Sequence, residues 1–155
     1  MSTNPLFPLY GIILGQTTIK ELAALGSRSE DIHSETQKPY QYFRVNGMNF
    51  WFGDKYASHI YITRSDVLPT SWRDAGFSWK KSFIEWIKVL NGMQCTILVK
   101  KEPEIEEYRG HPSFFADIVG ILNNDPKVEI SLSFAYSKGT TVLDNKTLYS
   151  IGIKY

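Results

Sequence analysis

Few residues in this chain have side chains suited to chemistry, and their spacing is poor for it. Its 155 residues include three histidines, His33, His59 and His111, and a single cysteine, Cys95. No H-x-H, H-E-x-x-H or C-x-x-C spacing links them, so the sequence offers no metal-ligand set. No G-x-S-x-G turn presents a nucleophilic serine, and Gly11 to Gly15 is too short for a phosphate-binding loop and lacks its lysine. His59 near Asp54 could be drawn as an acid–base pair, but a histidine tolerated on a strand accounts for it as well. Cys95 opens an apolar run and reads as a small core residue; alone, it permits no internal disulfide. The expectation is a chain without catalytic residues, metal or cofactor.

Aromatic residues are another matter. Asn46-Gly47 separates Tyr40–Val45 from Met48–Phe52. That dipeptide between two strand-like runs signals a two-residue type I′ hairpin, because both turn residues need positive φ. The register then follows: Val45 opposes Met48, Phe43 opposes Phe50 and Gln41 opposes Phe52, all six on one face. The other face carries Arg44 with Asn49, Tyr42 with Trp51, and Tyr40 with Gly53. Asp54-Lys55 turns the chain into a third strand, Tyr56–Thr63, where Ile60 and Ile62 join the apolar face and His59, Tyr61 and Thr63 do not. The more apolar face should meet helices, which leaves Tyr40, Tyr42, Arg44, Trp51, His59 and Tyr61 on the outer one. Trp, Tyr and Arg are the residue types that dominate binding hot spots. Ordinary cross-strand aromatic pairing, or cover from the C-terminal half or from Ser65–Gly76, would also account for such a face.

The remaining elements follow from period and caps. Thr18 with Glu21 forms a capping box ahead of Ile19, Leu22, Ala23 and Leu25, and Gly26 suits a left-handed helix end. Ser27 to Lys38 is polar and patternless and reads as a loop. Ser65 to Gly76 reads as a connection. Trp79, Phe83, Trp86, Ile87 and Leu90 recur at helical spacing, which predicts a helix from Trp79 to Asn91 capped by Ser78 and closed by Gly92. Cys95–Lys101 reads as a strand and the glutamate-rich Glu102–Gly110 as a solvated loop. Pro112 followed by Phe114, Phe115, Ile118, Val119 and Leu122 predicts a third helix. Val128–Tyr136 and Thr147–Tyr155 alternate as strands, joined by a long loop over Ser137–Lys146. The outer residues of these last strands, Ser131, Ser133 and Ser150, are small and polar and could extend the aromatic face.

This order predicts an α+β domain, an antiparallel sheet with helices on one face, occupying 1–155. Its halves, about 9–69 and 76–155, share an outline of helix followed by meander. Seventeen Lys and Arg against sixteen Asp and Glu leave a formal charge of +1. A dedicated DNA binder normally carries a basic excess. The apolar N-terminal run is broken by Pro5, Pro8 and Gly11 and has no basic start, so no secretory signal is expected. No stretch approaches the ~18 apolar residues of a membrane span. A lone thiol fits a cytoplasmic location.

The run Gly15-Gln16-Thr17-Thr18-Ile19-Lys20-Glu21-Leu22-Ala23-Ala24-Leu25-Gly26 resembles the "G-x-T, helix, L-G" opening of the β-lactamase-inhibitor-protein-like and small outer-membrane-assembly-lipoprotein superfamily. Trp72, Gly76-Phe77-Ser78-Trp79, Ser82 and Glu85-Trp86 are similar to bacterial members of its tandem form. The resemblance implies two helix-plus-meander units sharing one sheet. It implies a protein that binds another protein, as an inhibitor does. The inhibitor's two disulfides have no counterpart beside a lone Cys95, a departure that argues against a secreted inhibitor and leaves open a cytoplasmic module such as an immunity protein against a toxin or enzyme.

The leading expectation is therefore a non-catalytic module that occludes a partner protein through the six-residue face, without nucleic acid or membrane. One alternative is a small enzyme with a pocket between helices and sheet, marked by polar groups converging near His59 or His111. Another is a single-strand nucleic-acid binder that stacks bases on open aromatics; the near-neutral charge stands against it.

Overall fold

The computed structural model of the chain describes residues 6–32, 37–108, 111–125, 127–136 and 148–155; over 100–115 and at 136 the description is of the backbone. Local signals set the first elements. Helix α1 spans Ile19–Leu25, and its capping box forms as expected: Thr18 Oγ1 accepts from the Glu21 amide at 3.2 Å and Glu21 Oε1 accepts from the Thr18 amide at 3.4 Å. Gly26 ends the helix, but with extended backbone at φ −149° rather than in the left-handed region. Glycine is needed there for a different reason: a Cβ would run into the carbonyl of Arg44. Ahead of the helix, Leu6, Leu9, Ile12 and Leu14 are buried in the core, and Trp72 Nε1 donates to the Leu6 carbonyl at 3.1 Å.

The chain then makes four consecutive antiparallel strands, β1 (Ser27–Ile32), β2 (Pro39–Val45), β3 (Met48–Phe52) and β4 (Ala57–Ile62). The hairpin expected at Asn46-Gly47 is present, with φ of 50° and 79°. Its register pairs Val45 with Met48, Arg44 with Asn49, Phe43 with Phe50 and Tyr42 with Trp51. Strand β1 corrects the loop expected from Ser27. It is an edge strand of sequence SRSEDI, exposed except at half-buried Ser29, so it has no apolar alternation to announce it. Gln41, expected among the core-facing six, is exposed and hydrogen-bonds Arg28 and Glu30 of β1. Over the same edge, the Arg28 guanidinium lies 5.9 Å from the Phe43 ring centroid and 5.4 Å from that of Phe52.

The expected connection 65–76 holds a 3-10 turn at Ser65–Val67 and a short helix α2, Thr70–Asp74, anchored by fully buried Trp72. Helix α3 is Phe83–Gly92, shorter than expected and capped by Ser82, not Ser78; Ser82 and Glu85 form a second capping box. Strand β5 runs Cys95–Tyr108, through the glutamate-rich segment expected as a loop. The third helix is not formed: His111–Leu122 is strand β6, paired with β5 from Cys95↔Leu122 to Tyr108↔His111. Apolar residues at 118, 119 and 122 fit a helical stripe, but Ala116, Ile118 and Leu122 also alternate inward as a strand, around Gly120, a poor helix former. Strands β7 (Glu129–Tyr136) and β8 (Leu148–Lys154) stand where alternation placed them; the loop expected over 137–146 lies outside the described residues.

Among the described residues, eight strands form one antiparallel sheet in the order β1-β2-β3-β4-β8-β7-β6-β5, giving an α+β fold that is mostly sheet. The two meanders meet last strand to last strand, with Ile60 paired with Ile153 and Ile62 with Ile151. Strand β8 is therefore central rather than an uncapped edge. The inward rows Phe50–Ile60–Ile153–Ile130 and Ile62–Ile151–Leu132, together with Met48, are buried with Leu22, Trp72, Phe77, Phe83, Trp86 and Leu90 in one core cluster. Edge-to-face contacts link Trp72, Phe77 and Trp86, and Phe83 meets Phe134 of β7 at 5.2 Å. No helix among the described residues is long and apolar enough to cross a membrane.

Candidate functional site

With the core on one side, pleating puts every second residue on the other. The pairings carry one outer row across the sheet as Tyr42–Trp51–His59–Lys154–Glu129–Ile121, and a second as Arg44–Asn49–Tyr61–Gly152–Ser131–Val119–Leu98. Tyr42, Arg44, Trp51, His59 and Tyr61 thus share one face, and Tyr40 joins them through ring contacts. The Tyr40 ring lies 6.0 Å from Tyr42 and meets Trp51 edge-on at 5.9 Å. Trp51 stacks on Tyr61 at 5.7 Å with 14° between planes, and touches His59 at 5.6 Å. Among the described residues, the ring neighbours of Trp51 all come from the sheet. Arg44 closes the group, its guanidinium 6.0 Å from the Tyr42 ring and its Nε donating to Asn49 Oδ1 at 3.3 Å.

This packing has an electrostatic consequence at three sites. Tyr42 is only 7% exposed, so it supports the cluster more than it presents a surface, whereas Arg44 is open to solvent. Burial pushes the Tyr61 phenol above its usual range, partly opposed by a hydrogen bond with Ser150; it is a neutral donor at physiological pH. Burial also lowers the His59 pKa, Lys154 acting in the same direction and Glu129 against it, so the ring is neutral at pH 7. Ser58 Oγ approaches His59 Nδ1 only at 3.5 Å, and among the described residues no carboxylate hydrogen-bonds either of them to orient the pair for acid–base work, Glu129 acting on His59 only through its charge. The Trp51 indole N–H is shut off from solvent and has no hydrogen-bond partner among the described residues.

The floor beside the cluster is made of small residues, the half-buried Gly152, Ser131 and Ser133, while Ser150 is buried and hydrogen-bonded to Tyr61. Beyond it stand Val119, Ile121 and Leu98, an aliphatic border that reading 114–122 as a helix concealed. Alternation at period two was the signal that could have found it. Tyr40, Arg44, Trp51, Tyr61 and Tyr149 line an open hollow of about 1200 Å³ at the first-meander end. His33 lies outside the described residues and His111 within the stretch described by its backbone alone. Among the described residues no group of His, Cys, Asp and Glu side chains could hold a metal ion.

No protein-family model, curated protein or solved structure matches the chain. Nothing in that comparison bears on the superfamily resemblance, and the reading of function rests on this geometry.

Proposed function

We propose that the chain is a protein-binding module that docks a partner protein against its outer sheet face and acts by steric occlusion. The observation that carries the reading is the cluster of Tyr40, Tyr42, Trp51 and Tyr61 on the side of the sheet opposite the helices. Aromatic rings bring large contact area at low rotamer cost, and rings that already hold one another lose little freedom on binding. The small-residue floor beside them leaves room for a partner's backbone or loop. Arg44 supplies a cation at the rim, where it would steer approach and set register. The space between helices and sheet, which an enzyme with a helix–sheet pocket would need, is taken by Trp72, Phe77, Phe83 and Trp86. The resemblance of residues 15–26 and 72–86 adds the finer reading, an inhibitor or immunity protein whose partner is an enzyme or toxin.

The test uses the whole chain as bait, followed by equilibrium binding to the isolated partner. Trp51→Ala is expected to weaken that binding by about 30-fold or more, the range of a hot spot. Lys88→Ala, on the solvent side of α3, should leave it unchanged. Unaltered affinity in a folded Tyr42→Ala/Trp51→Ala double variant would overturn the reading.

A further inference from the structure

The two edges of the sheet are built differently. Strand β1 is protected in the usual way, by Arg28, Glu30 and Asp31 along an exposed polar strand. Strand β5 is not. From Cys95 to Lys101 it pairs regularly with β6 and carries no bulge, and its sequence over 96–99 is Thr-Ile-Leu-Val. Its other side has no backbone partner among the described residues. Leu98 is 49% exposed and its neighbour Val99 is 47% exposed. Consecutive strand residues point to opposite faces, so this edge is apolar on both. That is the composition of a strand flanked on two sides, occurring where there is a neighbour on only one.

We propose that β5 pairs antiparallel with β5 of a second copy of this chain, joining two sheets through a two-fold axis at Leu98. The regular stretch is bounded by Gln94, at φ 60°, on one side and by the irregularity between Glu102 and Ile105, with Pro103 inside it, on the other. Leu98 is the midpoint of the seven residues between. A two-fold there brings the whole stretch into register with itself: Leu98 against Leu98, Ile97 against Val99, Thr96 against Lys100 and Cys95 against Lys101. Apolar meets apolar at the centre, and no lysine faces a lysine. On the outer face the Val119–Leu98 row continues into the second copy, whose Leu98 packs beside this one. On the inner face Ile97 and Val99 of the two copies meet beside α3. The near-zero charge of +1 sets no long-range repulsion between copies. The pairing is isologous and closes on itself, as dimers with two-fold symmetry do. It does not rest on the outer-face reading, since the aromatic cluster lies on β2, β3 and β4.

Sedimentation of the full chain over a roughly hundredfold concentration range decides it. The expected result is a mass rising from 17.8 kDa toward twice that value. Leu98→Lys, at an already exposed position, would set two ammonium groups against each other and should weaken the dimer by roughly tenfold or more. Ser29→Lys on the opposite edge should not. A second variant gives an independent readout: Leu98→Cys in a Cys95→Ala background should cross-link on mild oxidation, because facing Cα atoms about 4.5–5.5 Å apart suit a disulfide. The chain without substitutions should not cross-link, its Cys95 facing Lys101. A constant mass of 17.8 kDa at all concentrations, a dimer indifferent to Leu98→Lys or weakened by Ser29→Lys, or failure of Leu98→Cys to cross-link would each overturn the proposal.

Discussion

His59 and Trp51 are neighbours with opposite deficits, one a titratable ring held neutral and the other a donor without an acceptor among the described residues. Because burial holds the His59 pKa below its ordinary 6.5, the unfolded chain takes up that proton first as the medium acidifies. The contribution to stability is complete above pH 6.5 and is lost as pH falls from there through the folded value. The urea midpoint should therefore decline between about pH 7 and pH 5, and His59→Gln should flatten that decline; parallel curves would assign it to other groups. For Trp51 the uncompensated indole N–H sets the expectation. Leaving a buried donor unpaired costs about 1–3 kcal/mol, similar to what the larger ring gains by burial over phenylalanine. Trp51→Phe should then unfold within about 1 kcal/mol of the unsubstituted chain, and a much larger loss would mean that the N–H has found an acceptor.

Helix α3 shows how far local chemistry reaches. Two serines precede it, and Ser82 is the one that pairs with a glutamate three residues on. Ser82→Ala is expected to cost about 1 kcal/mol in chemical denaturation, whereas Ser78→Ala, which removes a single acceptor for the Lys80 amide, should change stability by less than about 0.5 kcal/mol. Equal losses would show the capping box to be without effect. Elements fixed by neighbours in the chain are legible in the sequence: the Thr18–Glu21 box, the Asn46-Gly47 turn, and through it the face on which Tyr42, Arg44 and Trp51 lie. Elements fixed by distant partners were not. Strand β1 is polar from Ser27 to Asp31 and its one apolar residue, Ile32, is exposed, because an edge outside the helices' cover has nothing to bury, so its existence depends on β2. Strand β6 carries a pattern that satisfies both periods, and pairing with β5 and β7 settles what periodicity leaves open. The glutamates of β5 are strand residues for the same reason. Half of the outer face was accordingly readable, and the border at Val119 and Leu98 was not.

The sheet order places the junction of the two meanders at its centre, so the stability of each depends on the other. Among the described residues His59–Ile62 pair with Ile151–Lys154 across that junction, and the Tyr155 amide donates to the Ser58 carbonyl at 3.0 Å; the core beneath is continuous, with Ile60, Ile153, Phe50 and Ile130 in one buried cluster with Trp86 and Leu90. A core shared in this way should unfold as a unit. Ile153→Ala empties a fully buried position at the junction and is expected to cost about 2–5 kcal/mol. Cys95 provides a distant reporter. It lies at the far edge, is 8% exposed, and burial raises its thiol pKa, so it reacts slowly until its surroundings open. Urea titrations followed by backbone circular dichroism and by Cys95 labelling should share one midpoint, and Ile153→Ala should lower both together. Should labelling of Cys95 keep its midpoint while the circular dichroism transition splits, the two meanders would be separately folding units held side by side, and the junction an interface rather than a core.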